Sequence, residues 1–254
     1  TIIHSLFNRE LEDVVFMPQE QAEELVPVYH SGKKIDYPFP LPSEQPNVVV
    51  ILLESFSKEY IGYFNNGTGY TPFLDQLMQK SIVFTDAFAN GKHSIDAIPS
   101  VCAGIPAMMN DAFISSPYFQ NDFRGMGSYL SETGYESYFF HGGTNGSLQF
   151  DQFIEKSGFT QYYGRTEYDN DKDFDGNWGI FDEPFLQFMA DELSAKQEPF
   201  AAVTFTLSSH HPFTIPAQYK GKFKKGPLLI HEPVGYSDYA LEQFFKTAST
   251  QPWF

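Results

Sequence analysis

From Pro46 onward, short and densely apolar runs alternate with longer amphipathic ones. The strongest run is PNVVVILLE, residues 46–54, in which the apolar residues Val48 to Leu53 are unbroken and Glu54 closes the stretch. A run with no polar alternation suits a strand buried on both faces, at the centre of a parallel sheet. Further strands are predicted over 82–88 (IVFTDAF), 136–140 (ESYFF) and 200–207 (FAAVTFTL). Helices are predicted over 71–80, 123–133, 147–157 and 182–195, with a last one from about Ser237 to Ala248. Thr71 as N-cap with Pro72 at the first helical position marks one start, and Gly134 marks one stop. A helix also opens at Ser94, or later because of Pro99. This alternation predicts an α/β fold with a mostly parallel central sheet sandwiched by helices.

Residues 1–45 read differently. MPQEQAEELV is predicted as a short helix, and the Pro-rich stretch SGKKIDYPFPLPSEQP has the chemistry of a linker. The predicted division is a lead-in over 1–45 and a main domain over 46–254. After the last helix come Thr250-Gln251-Pro252-Trp253-Phe254, where the alternation calls for another strand. The expectation is therefore a domain whose C-terminal part lies beyond Phe254. A start at Thr1 rather than Met carries the matching expectation of an upstream segment.

Composition removes several classes of function. With 16 basic against 32 acidic residues the net charge is −16, which argues against nucleic acid as a partner. The one short basic cluster is Lys220, Lys222, Lys224 and Lys225. A single cysteine, Cys102, rules out an intrachain disulfide framework. No stretch reaches the roughly 18 apolar residues of a membrane helix.

The candidate chemistry sits where strands end, because ligands of open α/β sheets bind at the carboxyl ends of strands. Glu54 follows the first strand and is a candidate for metal or acid–base chemistry. Ser94 follows Gly91 and Lys92 at a helix start, where the dipole favours a bound anion or a developing alkoxide. A serine there also serves as a plain N-cap. No Gly-x-Ser-x-Gly elbow is present, which disfavours a hydrolase triad. His210 and His211 follow the strand at 200–207, and adjacent residues of an extended chain point to opposite sides. The turn His141-Gly142-Gly143-Thr144-Asn145-Gly146 offers backbone N–H groups to an anion, or simply turns. The spacing Asp171-x-Asp173-x-Asp175-Gly176, with Asp182, matches a calcium loop except for Asp in place of Glu. It lacks an entering helix, which favours a solvated acidic loop.

Taken in order, PNVVVILLES, FANGKHSIDAIPS, YFFHGG, LSSHHPF and YSDYALEQFF resemble the lipoteichoic acid synthase and sulfatase-like branch of the alkaline phosphatase superfamily, over about residues 46 to 254. The resemblance implies that Glu54 binds a divalent metal, most often manganese, with magnesium, calcium or zinc as alternatives. It implies that a Thr or Ser after the Gly-rich turn binds the same metal and attacks phosphorus. Aligning on Gly-Lys puts His93 at that position and aligning on Pro99 puts Ser94 there; of the two, Ser94 has a hydroxyl. His211, or else His210, is implied to contact the substrate phosphate, beside Lys92 and Asn145 as further substrate-binding residues. The family also implies an extracytoplasmic domain anchored to the bacterial cell membrane by N-terminal helices, acting on a phospholipid or envelope glycan.

Departures from the family pattern qualify these expectations. The family completes its metal site with an Asp-His pair on the strand after the YSDYAL-type helix, and that strand would lie beyond Phe254. This chain alone is therefore expected to bind metal weakly or not at all and to be inactive. Where glycerol-phosphate enzymes carry Asp, Trp and Arg, this chain has Gly143, Leu148 and Phe150, so that Asn145 and Gln149 would serve a different head group. Neither Ser94-Ile-Asp nor Cys102-Ala-Gly fits the signature processed to formylglycine in true sulfatases. The expected function is a metal-dependent phosphotransferase working through a Ser-linked intermediate. Sulfuric ester hydrolysis and a non-catalytic glycan- or lipid-binding role on the same fold are the alternatives.

Overall fold

A computed structural model describes residues 15–25, 45–196 and 199–254. The chain divides into two compact units, Thr1–Pro46 and Asn47–Phe254. In the first unit α1 (Gln19–Leu25) carries no buried side chain, and the Pro-rich stretch lies outside the described residues. The second unit runs β1 (Val48–Leu52), α2 (Pro72–Met78), α3 (Ser94–Ala103), α4 (Met126–Ser131), β2 (Glu136–Phe140) and α5 (Phe150–Lys156). It continues with β3 (Gln161–Tyr163), α6 (Arg165–Tyr168), α7 (Asp182–Ser194), β4 (Phe200–Phe205) and α8 (His231–Ala248).

All strand pairs are parallel and the order is β1-β4-β2-β3. Val50 pairs with Val203, and Tyr138 pairs with Ala202. The strands send alternate residues into two cores. Val49, Ile51, Tyr138, Phe140, Phe200 and Ala202 meet Leu186 and Met189 of α7 and Phe244 of α8. Val50, Leu52, Phe139, Val203 and Phe205 meet Ile98 of α3 and Phe153 of α5. Helices on both faces explain runs without polar alternation, because both sides of each strand gain by leaving water.

The structure corrects several expectations. PNVVVILLE is not a central strand: β1 pairs only with β4 among the described residues, and none of its residues is fully buried. The sealed central strand is β4, buried along its whole length despite its polar Thr204. The segment 82–88 is not a strand. It is rich in apolar and β-favouring residues, but no described strand pairs with it, and Phe84 and Phe88 are 80% and 92% exposed. A strand-like pattern without a ladder partner cannot satisfy its backbone groups internally. The three-residue β3 was missed as too short to show a period. The last helix begins at His231 rather than Ser237, because Pro233 falls in the first turn, where no backbone donor is needed. Pro99 likewise does not delay α3, which starts at Ser94 and ends on the left-handed Gly104.

Capping of α2 also departs from the sequence reading. Thr71 donates to Asp75 Oδ1 (3.0 Å) instead of capping the backbone. The orphan N–H groups of Phe73 and Leu74 donate to Asp238 of α8, at 2.8 and 2.9 Å. A helix start is thus closed by a carboxylate from the last helix.

Candidate active site

Glu54 leaves the carboxyl end of β1 and is 8% exposed. Its backbone is tied to the end of β4: the Glu54 N–H donates to Thr206 Oγ1 at 2.9 Å, and Ser209 Oγ donates to the Glu54 carbonyl. Ser55 Oγ donates to Glu54 Oε1 at 2.7 Å, and Ser55 itself holds a left-handed φ of 56°. A non-glycine residue there carries strain, which the surrounding bonds offset.

Ser94 is the first residue of α3, with His93 as N-cap. The Asp96 carboxylate accepts from the His93 N–H at 3.3 Å and lies 3.7 Å from the exposed His93 ring. Gly91 is required by geometry. Its φ is +96° and a Cβ there would fall 2.4 Å from Asp96 Cβ. Asn90 Oδ1 accepts from the Ala107 N–H at 2.6 Å, fastening the turn to the far end of α3. This turn brings Lys92 and Ser94 into the wall of a cleft of about 670 Å³, which Glu54 and Phe88 also line. Glu54, Lys92 and Ser94 therefore share one cleft, with the positive end of a ten-residue helix beside the hydroxyl.

The other predicted residues lie elsewhere. His210 and His211 follow Ser209 on the adjoining rim, but neither lines that cleft. Trp178 Nε1 donates to the His211 carbonyl at 2.7 Å, and the Trp178 ring meets the His210 ring edge-on at 4.5 Å. Asn145 is engaged locally. Its amide donates to Glu167 at 3.0 Å and its oxygen accepts from the Thr166 N–H at 3.1 Å. His141 is buried, stacked on Phe205 at 5.0 Å, and burial lowers its pKa to about 4. That makes it a neutral packing residue.

The acidic loop does not converge on a point. Asp171 pairs with Arg165, Asp173 accepts from Tyr168 and Asn170, and Asp175 accepts three backbone N–H groups, from Asn177, Trp178 and Gly179. Asp182 is buried and holds the exit of β4. It accepts from the N–H groups of Leu207 (2.7 Å) and Ser208 (3.1 Å) and from Ser237 Oγ (2.6 Å). Burial pushes its pKa up against the pull of those donors. In the sequence Asp182 stands at the end of a calcium spacing and at the start of the helix predicted over 182–195; its use as a buried bracket leaves no local sequence signal.

Among the described residues no group of three or more His, Cys, Asp or Glu side chains comes together to hold a metal ion. Glu54 and Ser94 provide two donors, short of the four to eight that zinc, magnesium or calcium sites use. This set alone does not fit a divalent ion.

The chain folds as a parallel sheet wrapped by helices, and its solved neighbours belong to the alkaline phosphatase superfamily. A superfamily protein of known structure from Vibrio parahaemolyticus superposes with a TM-score of 0.74 at 31% identity, over 83% of this chain and 52% of that one. The lipoteichoic acid synthase LtaP from Listeria monocytogenes gives a TM-score of 0.69 at 23% identity, over 82% and 53%. The Sulfatase family model matches residues 46–253, and the chain belongs to that family, on its lipoteichoic-acid-synthase-like side. Lipoteichoic acid synthase 1 of Bacillus subtilis is 29% identical over 79% of this chain and 33% of its own length. Phosphoglycerol transferase I of Citrobacter koseri is 25% identical over 97% and 34%. The chain thus spans about a third of the length of these curated relatives.

Proposed function

We propose that this chain carries the nucleophile-bearing part of a phosphotransferase that moves a phospho-head group onto an acceptor hydroxyl. The observation behind this reading is the Ser94 hydroxyl at the start of α3, in one cleft with Glu54 and Lys92. Ser94 Oγ attacks phosphorus in line, an O–P bond forms, and the bond to the leaving oxygen breaks. That oxygen departs as an alcohol carrying the proton that Ser94 gave up. The acceptor hydroxyl then displaces Ser94, and the acceptor's proton returns to Ser94. Lys92 and the N-terminal dipole of α3 offset charge on the phosphoryl oxygens. Phospholipid or envelope glycan substrates and an extracytoplasmic location at the cell membrane belong to this reading, which rests on relatives named lipoteichoic acid synthase and phosphoglycerol transferase. No described helix is long and apolar enough to cross a membrane.

A divalent cation, manganese by the family resemblance, would lower the pKa of a bound hydroxyl. Glu54 and Ser94 are two of its donors in this reading, and no step above is assigned to it. Titrated with manganese, this chain alone is expected to bind no tighter than about millimolar, the range of poorly provided oxygen sites. Micromolar binding would show that two donors and solvent suffice.

Sulfate ester chemistry is disfavoured by Cys102. The thiol is fully buried and burial pushes its pKa up to about 12, so it is no candidate for processing or attack. The test is Ser94→Ala in a form of the protein that turns over phosphodiesters, assayed with aryl phosphate and aryl sulfate side by side. The variant is expected to lose at least about a thousandfold in phosphodiester turnover. Turnover at the parent rate would remove Ser94 from the mechanism, and preference for aryl sulfate would favour the hydrolase reading.

A further inference from the structure

The loop between β4 and α8 is anchored on one side and bare on the other. Phe223 packs against Tyr236 and Tyr239 of α8, with ring centroids 6.0 and 5.8 Å away. His231 stacks on Tyr70 at 4.0 Å, and its Nδ1 accepts the Leu228 N–H at 3.2 Å. A Cβ on Gly226 would lie 2.1 Å from both His231 Nδ1 and the Tyr70 hydroxyl, so the turn is pressed flat against this platform. Lys224 Nζ donates to the Gly69 carbonyl at 3.1 Å and lies over the Tyr70 ring.

What faces outward is a mixture of cationic and apolar side chains. Lys220, Lys222, Lys224 and Lys225 are all exposed, and Leu228 and Leu229 are 54% and 82% exposed. Between residues 217 and 232 the sole carboxylate is Glu232, 3.6 Å from Lys225. The whole chain carries −16, whereas this loop holds four lysines against one carboxylate. At physiological salt the screening length is about 8 Å, so the loop feels an anionic surface while distant carboxylates do not. Cationic side chains beside exposed apolar ones supply the two signals that stable binding at a lipid interface requires. The loop leaves the carboxyl end of β4 and leans on residues 69 and 70, which follow the carboxyl end of β1. It therefore hangs from the same edge of the sheet as Glu54 and Ser94.

We propose that the 220–229 loop docks on an anionic lipid surface, its lysines against lipid phosphates and Leu228 and Leu229 in the head-group boundary. The docked loop holds the carboxyl edge of the sheet toward the bilayer. This role is independent of which residue is the nucleophile.

The test is co-sedimentation of this chain with vesicles of equal phosphatidylglycerol and phosphatidylcholine, set against phosphatidylcholine alone. Binding is expected to the anionic vesicles, and to weaken at least tenfold between about 50 and 500 mM salt. Lys220→Glu with Lys222→Glu should reduce it by about tenfold or more, and Leu228→Ser with Leu229→Ser by about tenfold at an unchanged salt slope. These positions are exposed, so the thermal melt should not move. Ser94→Ala should bind as the parent does, which separates docking from catalysis. Failure of the parent to bind anionic vesicles, equal binding to phosphatidylcholine, or binding that survives both pairs of substitutions would overturn the proposal.

Discussion

The two strand ends that meet near Glu54 are built on opposite principles. At the end of β4 the buried polar groups are mostly answered, with the Thr204 hydroxyl an exception among the described residues. Asp182 takes three donors, Ser208 Oγ accepts the Asp182 N–H at 2.9 Å, and His141 is stacked and neutral. At the end of β1 the polar groups line open space: Glu54, Lys92 and Ser94 border a cleft whose wall includes the exposed Phe88. A buried polar group costs stability unless it is paired, so the sealed end is fixed by folding. A polar group on a cleft is free to bind something else. The contrast sets an end held for stability against the end where the proposed chemistry would take place.

Substitutions should separate the two ends. Glu54→Ala should reduce turnover by at least about a hundredfold, while shifting stability by less than about 1 kcal/mol. Kinetics and a chemical melt on the same sample check this, and a large loss of stability would move Glu54 to the sealed side. Asp182→Ala should do the reverse. It strands two N–H groups and a hydroxyl, each costing about 1–3 kcal/mol, for a total of about 3 kcal/mol or more in urea unfolding. A loss under about 1 kcal/mol would mean that water replaces the carboxylate and the end is not sealed.

Smaller effects sharpen the picture through pH. Burial raises Asp238, the cap of α2, to about 6 from an ordinary 3.8. Between those values the folded chain keeps a proton that the unfolded chain has lost. The contribution of this group is full below about pH 4 and is lost as pH rises through 6. Asp238→Asn should flatten that window while keeping the cap, whereas Asp238→Ala should cost about 1–2 kcal/mol. His141 runs the other way. Its folded value near 4 lies below the ordinary 6.5, so its contribution is full above pH 6.5 and is lost as pH falls toward 4. His141→Phe should remove up to about 1 kcal/mol per pH unit of that acid slope. Unchanged slopes in stability curves between pH 4 and 7 would show that neither group is as buried as the structure places it.

Much of the open end was legible because its signals are local. A carboxylate closing an apolar run, and Gly-Lys before a helix-opening serine, need only neighbours in sequence. The sealed end was not, because its bonds are long-range: Asp238 caps a helix 165 residues earlier, and Asp182 holds a turn 25 residues later. The place of PNVVVILLE in the sheet departs from the sequence reading for the same reason. PNVVVILLE is more apolar than FAAVTF, yet β4 is the strand flanked on both sides. The segment 82–88 shows the converse, since its β-favouring residues have no described ladder to join.

The central claim, that the open end does the chemistry, is most directly tested by trapping the covalent intermediate. A turning-over sample is quenched in acid after exposure to a phosphodiester substrate, and the peptide carrying residues 92–103 is mapped by mass spectrometry. The account predicts a phosphoryl-linked group on Ser94, lost in Ser94→Ala. A stable adduct on any other residue, or full turnover with Ser94 unmodified and dispensable, would contradict it.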